Sequence, residues 1–123
     1  PKNPDPNVIF PNEYKISVFL KNIVSAPNIF VGDYTYYDSP EHPENFEKTQ
    51  VLFNHPIFGD KLVIGKFCQI AHGTTFIMGA ANHRLSSVST YPFNVMGKAW
   101  HEVTPDHLSE LPRKGDIVVG NDV

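Results

Sequence analysis

With one cysteine in 123 residues, Cys68, the chain has no means of forming an internal disulfide. A lone thiol among apolar and small neighbours fits a reducing compartment. There is no basic surplus either: 10 Lys and Arg against 13 Asp and Glu leave a formal charge of -3. That balance supplies no positive field for a phosphate backbone, so nucleic acid is not an expected partner. No apolar run approaches the roughly 20 residues that cross a bilayer. Residues 1–11 are polar and proline-rich, without the basic and then apolar order of a secretory leader. The expectation is a cytoplasmic protein with no membrane partner. A Gly-rich P-loop and a dinucleotide fingerprint are also missing. Finally, long uninterrupted segments are lacking. Eleven prolines and eight glycines cut the chain into short pieces, which argues for short strands joined by turns in a single, mainly β domain.

What the sequence does contain is a six-residue period. Ile64-Gly65-Lys66-Phe67-Cys68-Gln69 is followed by Ile70-Ala71-His72-Gly73-Thr74-Thr75 and by Phe76-Ile77-Met78-Gly79-Ala80-Ala81. Each hexad has a large apolar residue first and a small one fifth. A triangular coil explains this pattern: each hexad supplies one flat strand and one tight turn, the first side chain fills the centre, and the fifth fits a narrowing corner. Single hexads of the same kind stand at Val31-Gly32-Asp33-Tyr34-Thr35-Tyr36 and at Val119-Gly120-Asn121-Asp122-Val123. Three hexads make one turn of the coil, so Val119 opens a new turn. The chain is expected to be cut short there, as the N-terminal portion of a longer coil.

Around this coil the organisation is read as follows. Residues 1–27 form an N-terminal arm and a short helix, because Ile16, Phe19, Leu20, Ile23 and Val24 recur at helical spacing. Asn12 is its N-cap, Pro27 its stop, and Lys15, Ser17, Lys21 and Asn22 its polar face. Residues 28–81 carry the coils, interrupted by a polar insertion at 37–61. Residues 82–115 form a long excursion loop with Trp100 and three of the six histidines, and 116–123 begin the next coil. Long loops on a rigid repeat are where binding groups usually sit.

Five blocks then match a known family. Val31-Gly32-Asp33-Tyr34-Thr35-Tyr36-Tyr37-Asp38-Ser39, Lys61-Leu62-Val63-Ile64-Gly65-Lys66-Phe67-Cys68, Phe76-Ile77-Met78-Gly79, Ala81-Asn82-His83-Arg84 and Ser89-Thr90-Tyr91-Pro92-Phe93 resemble, in this order, the xenobiotic acetyltransferases of the hexapeptide-repeat family. The resemblance implies a left-handed parallel β-helix. It also implies an enzyme that moves an acetyl group from acetyl-coenzyme A (acetyl-CoA) to a hydroxyl of an antibiotic, conferring resistance. Streptogramin A is the first acceptor it points to and chloramphenicol the next. Relatives are expected to work as homotrimers with active sites between subunits and to transfer directly, without a covalent intermediate. Coenzyme A would lie along later coils, beyond Val123.

An alcohol is a weak nucleophile at neutral pH and needs a base. A histidine, with an ordinary pKa of about 6.5, stays largely neutral and able to accept the proton. His83 stands where a hexad gives way to the long excursion and matches the family's catalytic histidine. Asn82 beside it either orients the acceptor or imidazole or simply forms a turn. By resemblance Tyr36 and Tyr37 belong to the acceptor pocket. Being adjacent, they point to opposite faces of a strand, and Tyr36 is the better candidate. His55, in Phe53-Asn54-His55-Pro56, stands where streptogramin-acetylating members tend to carry tyrosine. His72 is read as an outward turn residue and Cys68 as core. Ser86, Ser87 and Ser89 near His83 lack an acid at triad spacing. Two other classes compete: a γ-carbonic-anhydrase-like zinc lyase, although His72, His83, His101 and His107 show no close ligand spacing, and an inactive β-helix fragment that serves only in assembly.

Overall fold

The computed structural model describes residues 3–55, 58–81 and 115–123. The described strands are β1 (Ser17–Phe19), β2 (Ile29–Val31), β3 (Tyr36–Asp38), β4 (Val51–Leu52), β5 (Leu62–Ile64), β6 (Gln69–Ile70), β7 (Phe76–Ile77) and β8 (Ile117–Val119), with one short helix, α1 (Phe46–Thr49). They fall into three sheets, ordered β1-β3-β6, β2-β5-β8 and β4-β7. From β2 onward successive strands visit the three sheets in rotation, and each fourth strand returns beside the first in parallel. The path is a three-sided parallel coil.

The hexads set the register of this coil. Val31 pairs with Ile64 and Ile64 with Val119, so the first residues of three hexads stack in one column. The glycine that follows each of them lies at a corner where backbones nearly touch. A Cβ on Gly32 would fall 2.7 Å from the carbonyl carbon of Gly65, and one on Gly65 would fall 2.8 Å from that of Gly120. Three residues after each column member the backbone turns left-handed, with φ of 65° at Tyr34, 59° at Phe67 and 57° at Asp122. The fifth places, Thr35 and Cys68, are fully buried. Thr35 closes the corner with its hydroxyl, donating to the carbonyl of Gly65 at 2.5 Å and accepting the N–H of Cys68 at 3.0 Å. A buried hydroxyl costs stability unless paired in this way.

Inside the coil, Val18, Tyr37 and Ile70 form one inward row across β1, β3 and β6, all less than a tenth exposed. Phe46 of α1 is fully buried. Its ring meets Tyr37 at 5.0 Å and Phe76 at 6.1 Å between centroids, contacts worth about 0.5–1.5 kcal/mol each beyond area burial. Glu47 ties α1 to the loop before β2 by accepting the N–H groups of Ser25 and Ala26 and the Ser25 hydroxyl.

Two expectations are corrected. The N-terminal helix is absent: residues 17–19 form β1, antiparallel to β3, followed by a 3₁₀ turn at Leu20–Asn22. Asn12 accepts the N–H of Tyr14 at 3.1 Å, but Lys15 then turns left-handed at φ 58° and no helix follows. A short isolated helix is marginal, whereas the open edge of β3 offers β1 a hydrogen-bond ladder and buries Val18 and Leu20 completely. The polar residues of the expected face find partners instead, Ser17 on Asp38, Lys21 on Asp33 and Asn22 on the carbonyls of Pro6 and Val8. The insertion at 37–61 is likewise not one piece. Tyr37 and Asp38 belong to β3, and Val51–Leu52 form β4, which pairs with β7 as the third side of the first coil. Two residues of strand in a polar stretch are too few to show a period.

The corner predicts a contrast. Gly65→Ala drives a Cβ into backbone, whereas a Cβ at Gly120 meets nothing within 4 Å. Gly65→Ala is expected to cost about 1–3 kcal/mol in urea denaturation, and Gly120→Ala about 0.5 kcal/mol or less.

Candidate functional site

Two segments that carry candidate residues leave the coil at the same corner. β4 and β7 pair in parallel, Val51 with Phe76 and Leu52 with Ile77. The ladder continues past both strands: the N–H of Met78 donates to the carbonyl of Leu52 at 2.9 Å, and that of Ala80 to the carbonyl of Phe53 at 3.3 Å. From Leu52 the chain runs into Phe53, Asn54 and His55. From Ile77 it enters a 3₁₀ turn, Gly79–Ala81, and proceeds to Asn82 and His83. The loop bearing His55 and the exit toward the expected base are therefore neighbours on adjacent coils. Asn82 and His83 themselves lie outside the described residues, as do Ser86, Ser87, Ser89, His101 and His107.

His55 is exposed, and its ring stands edge-on to Phe58 at 6.0 Å. Its loop is fixed from below. Asn54 and Asn28 exchange side-chain hydrogen bonds at 2.6 and 3.2 Å, and Asn28 also donates to the carbonyl of Asp60 at 2.9 Å. Phe53 adopts φ 55° and Gly59 φ 63°, so the segment between them is turned at both ends.

The two tyrosines divide as adjacent strand residues must. Tyr37 is 3% exposed and packs on Phe46 in the core. Tyr36 is half-buried and lies across from Phe19 of β1 and Gln69 of β6 on the outer face of that sheet. This sheet is a different side of the coil from β4 and β7. Within one chain the structure joins the His55 loop to the Gly79–Ala81 turn but leaves Tyr36 on another face.

His72 occupies an exposed turn before Gly73. Cys68 is fully buried, with its sulfur 3.0 Å from the carbonyl oxygen of Gly120, a core position rather than a nucleophile's. Among the described residues, no three His, Cys, Asp or Glu side chains converge as a metal site would require.

Sequence reasoning missed Asp60, which is 7% exposed. One of its oxygens, Oδ2, accepts the N–H of Gly79 at 2.8 Å, and the other, Oδ1, has no hydrogen-bond partner among the described residues. An acid between Gly59 and Lys61 looks like a solvated turn, and only the parallel alignment of β4 with β7 brings Gly79 onto it. Glu47 was missed because its partners, Ser25 and Ala26, stand 22 and 21 residues earlier in the chain. Burial works against its charge, but the N–H of Ala26 and the hydroxyl and N–H of Ser25 outweigh this and hold the carboxyl below its ordinary value.

No protein-family model matches the chain. Among curated proteins, it is 49% identical over 113 residues to a virginiamycin A acetyltransferase of Staphylococcus aureus, covering 91% of this chain and 50% of that protein. It is 50% identical over 86 residues to a probable macrolide acetyltransferase of Lysinibacillus sphaericus, covering 70% of this chain and 47% of the relative. A chloramphenicol acetyltransferase of Agrobacterium fabrum is 39% identical over 107 residues, covering 86% and 50% respectively. The chain spans about half the length of the curated relatives it matches.

Because the folded pKa of Glu47 is lowered, its contribution to stability is complete above the ordinary carboxyl value of about 4.3 and is lost as pH falls through the folded value. Glu47→Gln is expected to flatten the decline in thermal midpoint between neutral pH and about pH 3 relative to wild type, as read by circular dichroism.

Proposed function

Because this chain belongs to the xenobiotic acetyltransferases, we propose that the protein moves an acetyl group from acetyl-CoA to a hydroxyl of an antibiotic and so confers resistance to it. The observation that carries this reading is identity near one half across nine-tenths of the chain with a relative named for virginiamycin A acetylation. The proposed acceptor is accordingly a streptogramin A, with chloramphenicol next, since relatives of that name are less similar. The three-sided parallel coil supports the left-handed β-helix expected of such enzymes.

On this reading His83 takes the proton from the acceptor hydroxyl as its oxygen attacks the thioester carbonyl. The new C–O bond forms, the C–S bond breaks as the tetrahedral intermediate collapses, and the proton passes from the imidazolium to the departing thiolate. The products are the acetylated antibiotic and free coenzyme A. His55 and Tyr36 are the acceptor-binding candidates that remain at the surface, with Asn82 orienting the acceptor or the base. Tyr36 lies on the β1-β3-β6 sheet and His55 follows β4 of another sheet, a separation compatible with a site completed by a second subunit. A homotrimer is proposed on the resemblance. Coenzyme A would be held by coils that follow those described.

The test is thiol release from acetyl-CoA in the full-length protein, with virginiamycin A-type streptogramin or chloramphenicol as acceptor. His83→Ala is expected to lower kcat by about 100- to 10,000-fold. Full activity in that variant excludes His83 as base. Absence of thiol release with both antibiotics in the wild-type protein excludes the acceptor class.

A further inference from the structure

We propose that Asp60 is a positioning residue for this site: its carboxylate clamps the turn Gly79–Ala81, which Asn82 and His83 follow directly in the sequence. The proposal rests on His83 being the base, and it is carried by four observations of the described residues.

First, Asp60 is a carboxylate in a nearly closed setting, 7% exposed, where burial penalises charge. Second, one oxygen takes the Gly79 N–H at 2.8 Å, the first amide of a turn whose opening N–H groups need an outside acceptor. Third, position 79 has no side chain. A Cβ there would stand 3.2 Å from Asp60 Oδ2 and 3.6 Å from Cγ, a tight approach that glycine relieves. Fourth, Asp60 is held at its other end: its carbonyl accepts the Asn28 side chain, which pairs with Asn54 of the His55 loop. One residue therefore joins the His55 loop and the Gly79–Ala81 turn at this corner.

The contact needs an acceptor here rather than a charge: an asparagine would offer Gly79 the same oxygen, and Oδ1 of Asp60 has no hydrogen-bond partner among the described residues. Its place between the two segments gives the residue a holding role, and misplacing a reacting group by about 1 Å is enough to cost a factor near 100 in rate.

The experiment compares Asp60→Ala and Asp60→Asn, each in wild-type and His83→Ala backgrounds of the full-length protein, by kcat and KM and by amide hydrogen exchange. Asp60→Ala is expected to lower kcat about 100-fold with KM for acetyl-CoA unchanged. Asp60→Asn, which keeps the acceptor, returns kcat to within about threefold of wild type. In the His83→Ala background Asp60→Ala brings no further loss, since both changes act on one group. Exchange at Gly79–Ala81 quickens by at least about tenfold in Asp60→Ala, while Leu62–Ile64 is unmoved. Wild-type kcat in Asp60→Ala, or an equal loss in both backgrounds, overturns the proposal. If Asp60→Ala does not fold, Gly79→Ala, which presses on the same contact, is expected to show the same kcat loss, and unchanged kcat there overturns it. Full activity of His83→Ala identifies the base assignment as what fails. Exchange then decides the clamp alone: unchanged protection at Gly79 overturns it, and quickened exchange upholds it.

Discussion

Everything described rests on how closely one turn of the coil lies on the next at a single corner. At Gly32 and Gly65 the next turn's backbone stands at a distance that admits no side chain. The same corner aligns Val31, Ile64 and Val119 into a column. A slip of one residue would turn every inward side chain of the stacked strands outward and would bring a β-branched or charged residue to the place where only glycine fits. Register is thus specified twice, by apolar burial and by exclusion. The two constraints agree at Gly32 and Gly65, which is the consistency expected of a sequence that specifies one fold.

With register fixed, strand pairing carries distant residues together. Leu52 and Ile77 are partners because their strands occupy equivalent sides of successive coils, and for that reason the His55 loop and the Gly79–Ala81 turn emerge side by side. Phe46 seals the space beneath them against Tyr37 and Phe76.

The parts of this arrangement that were legible in the sequence are those with a period. The hexads at 64–81 announce inward and corner positions because the same physical slot recurs every six residues, and burial of Ile64, Cys68 and Ile70 follows that pattern. The third hexad departs from it in one respect, since Met78 rather than Phe76 is the fully buried member. The segment 16–24 misled because five apolar residues at helical spacing also serve a strand and a turn. The edge of β3 decided between them, and that edge exists only after folding. Adjacency placed Tyr36 and Tyr37 on opposite faces, and the resemblance, not the spacing, favoured Tyr36. Asp60 and Glu47 were not legible, since each acquires its partners from residues 19 to 22 positions away.

The antiparallel strand β1 has a consequence for growth of the coil itself. A parallel sheet edge is a template on which any chain of like period can be laid, and stacked repeats are prone to extend end to end. β1 covers β3, and beyond it the N–H of Phe19 is already taken by the carbonyl of Ile9 at 2.9 Å. The N-terminal arm thus occupies part of the row of backbone groups on which a further turn would be laid, which makes this face of the solenoid a poor seed for a fibre.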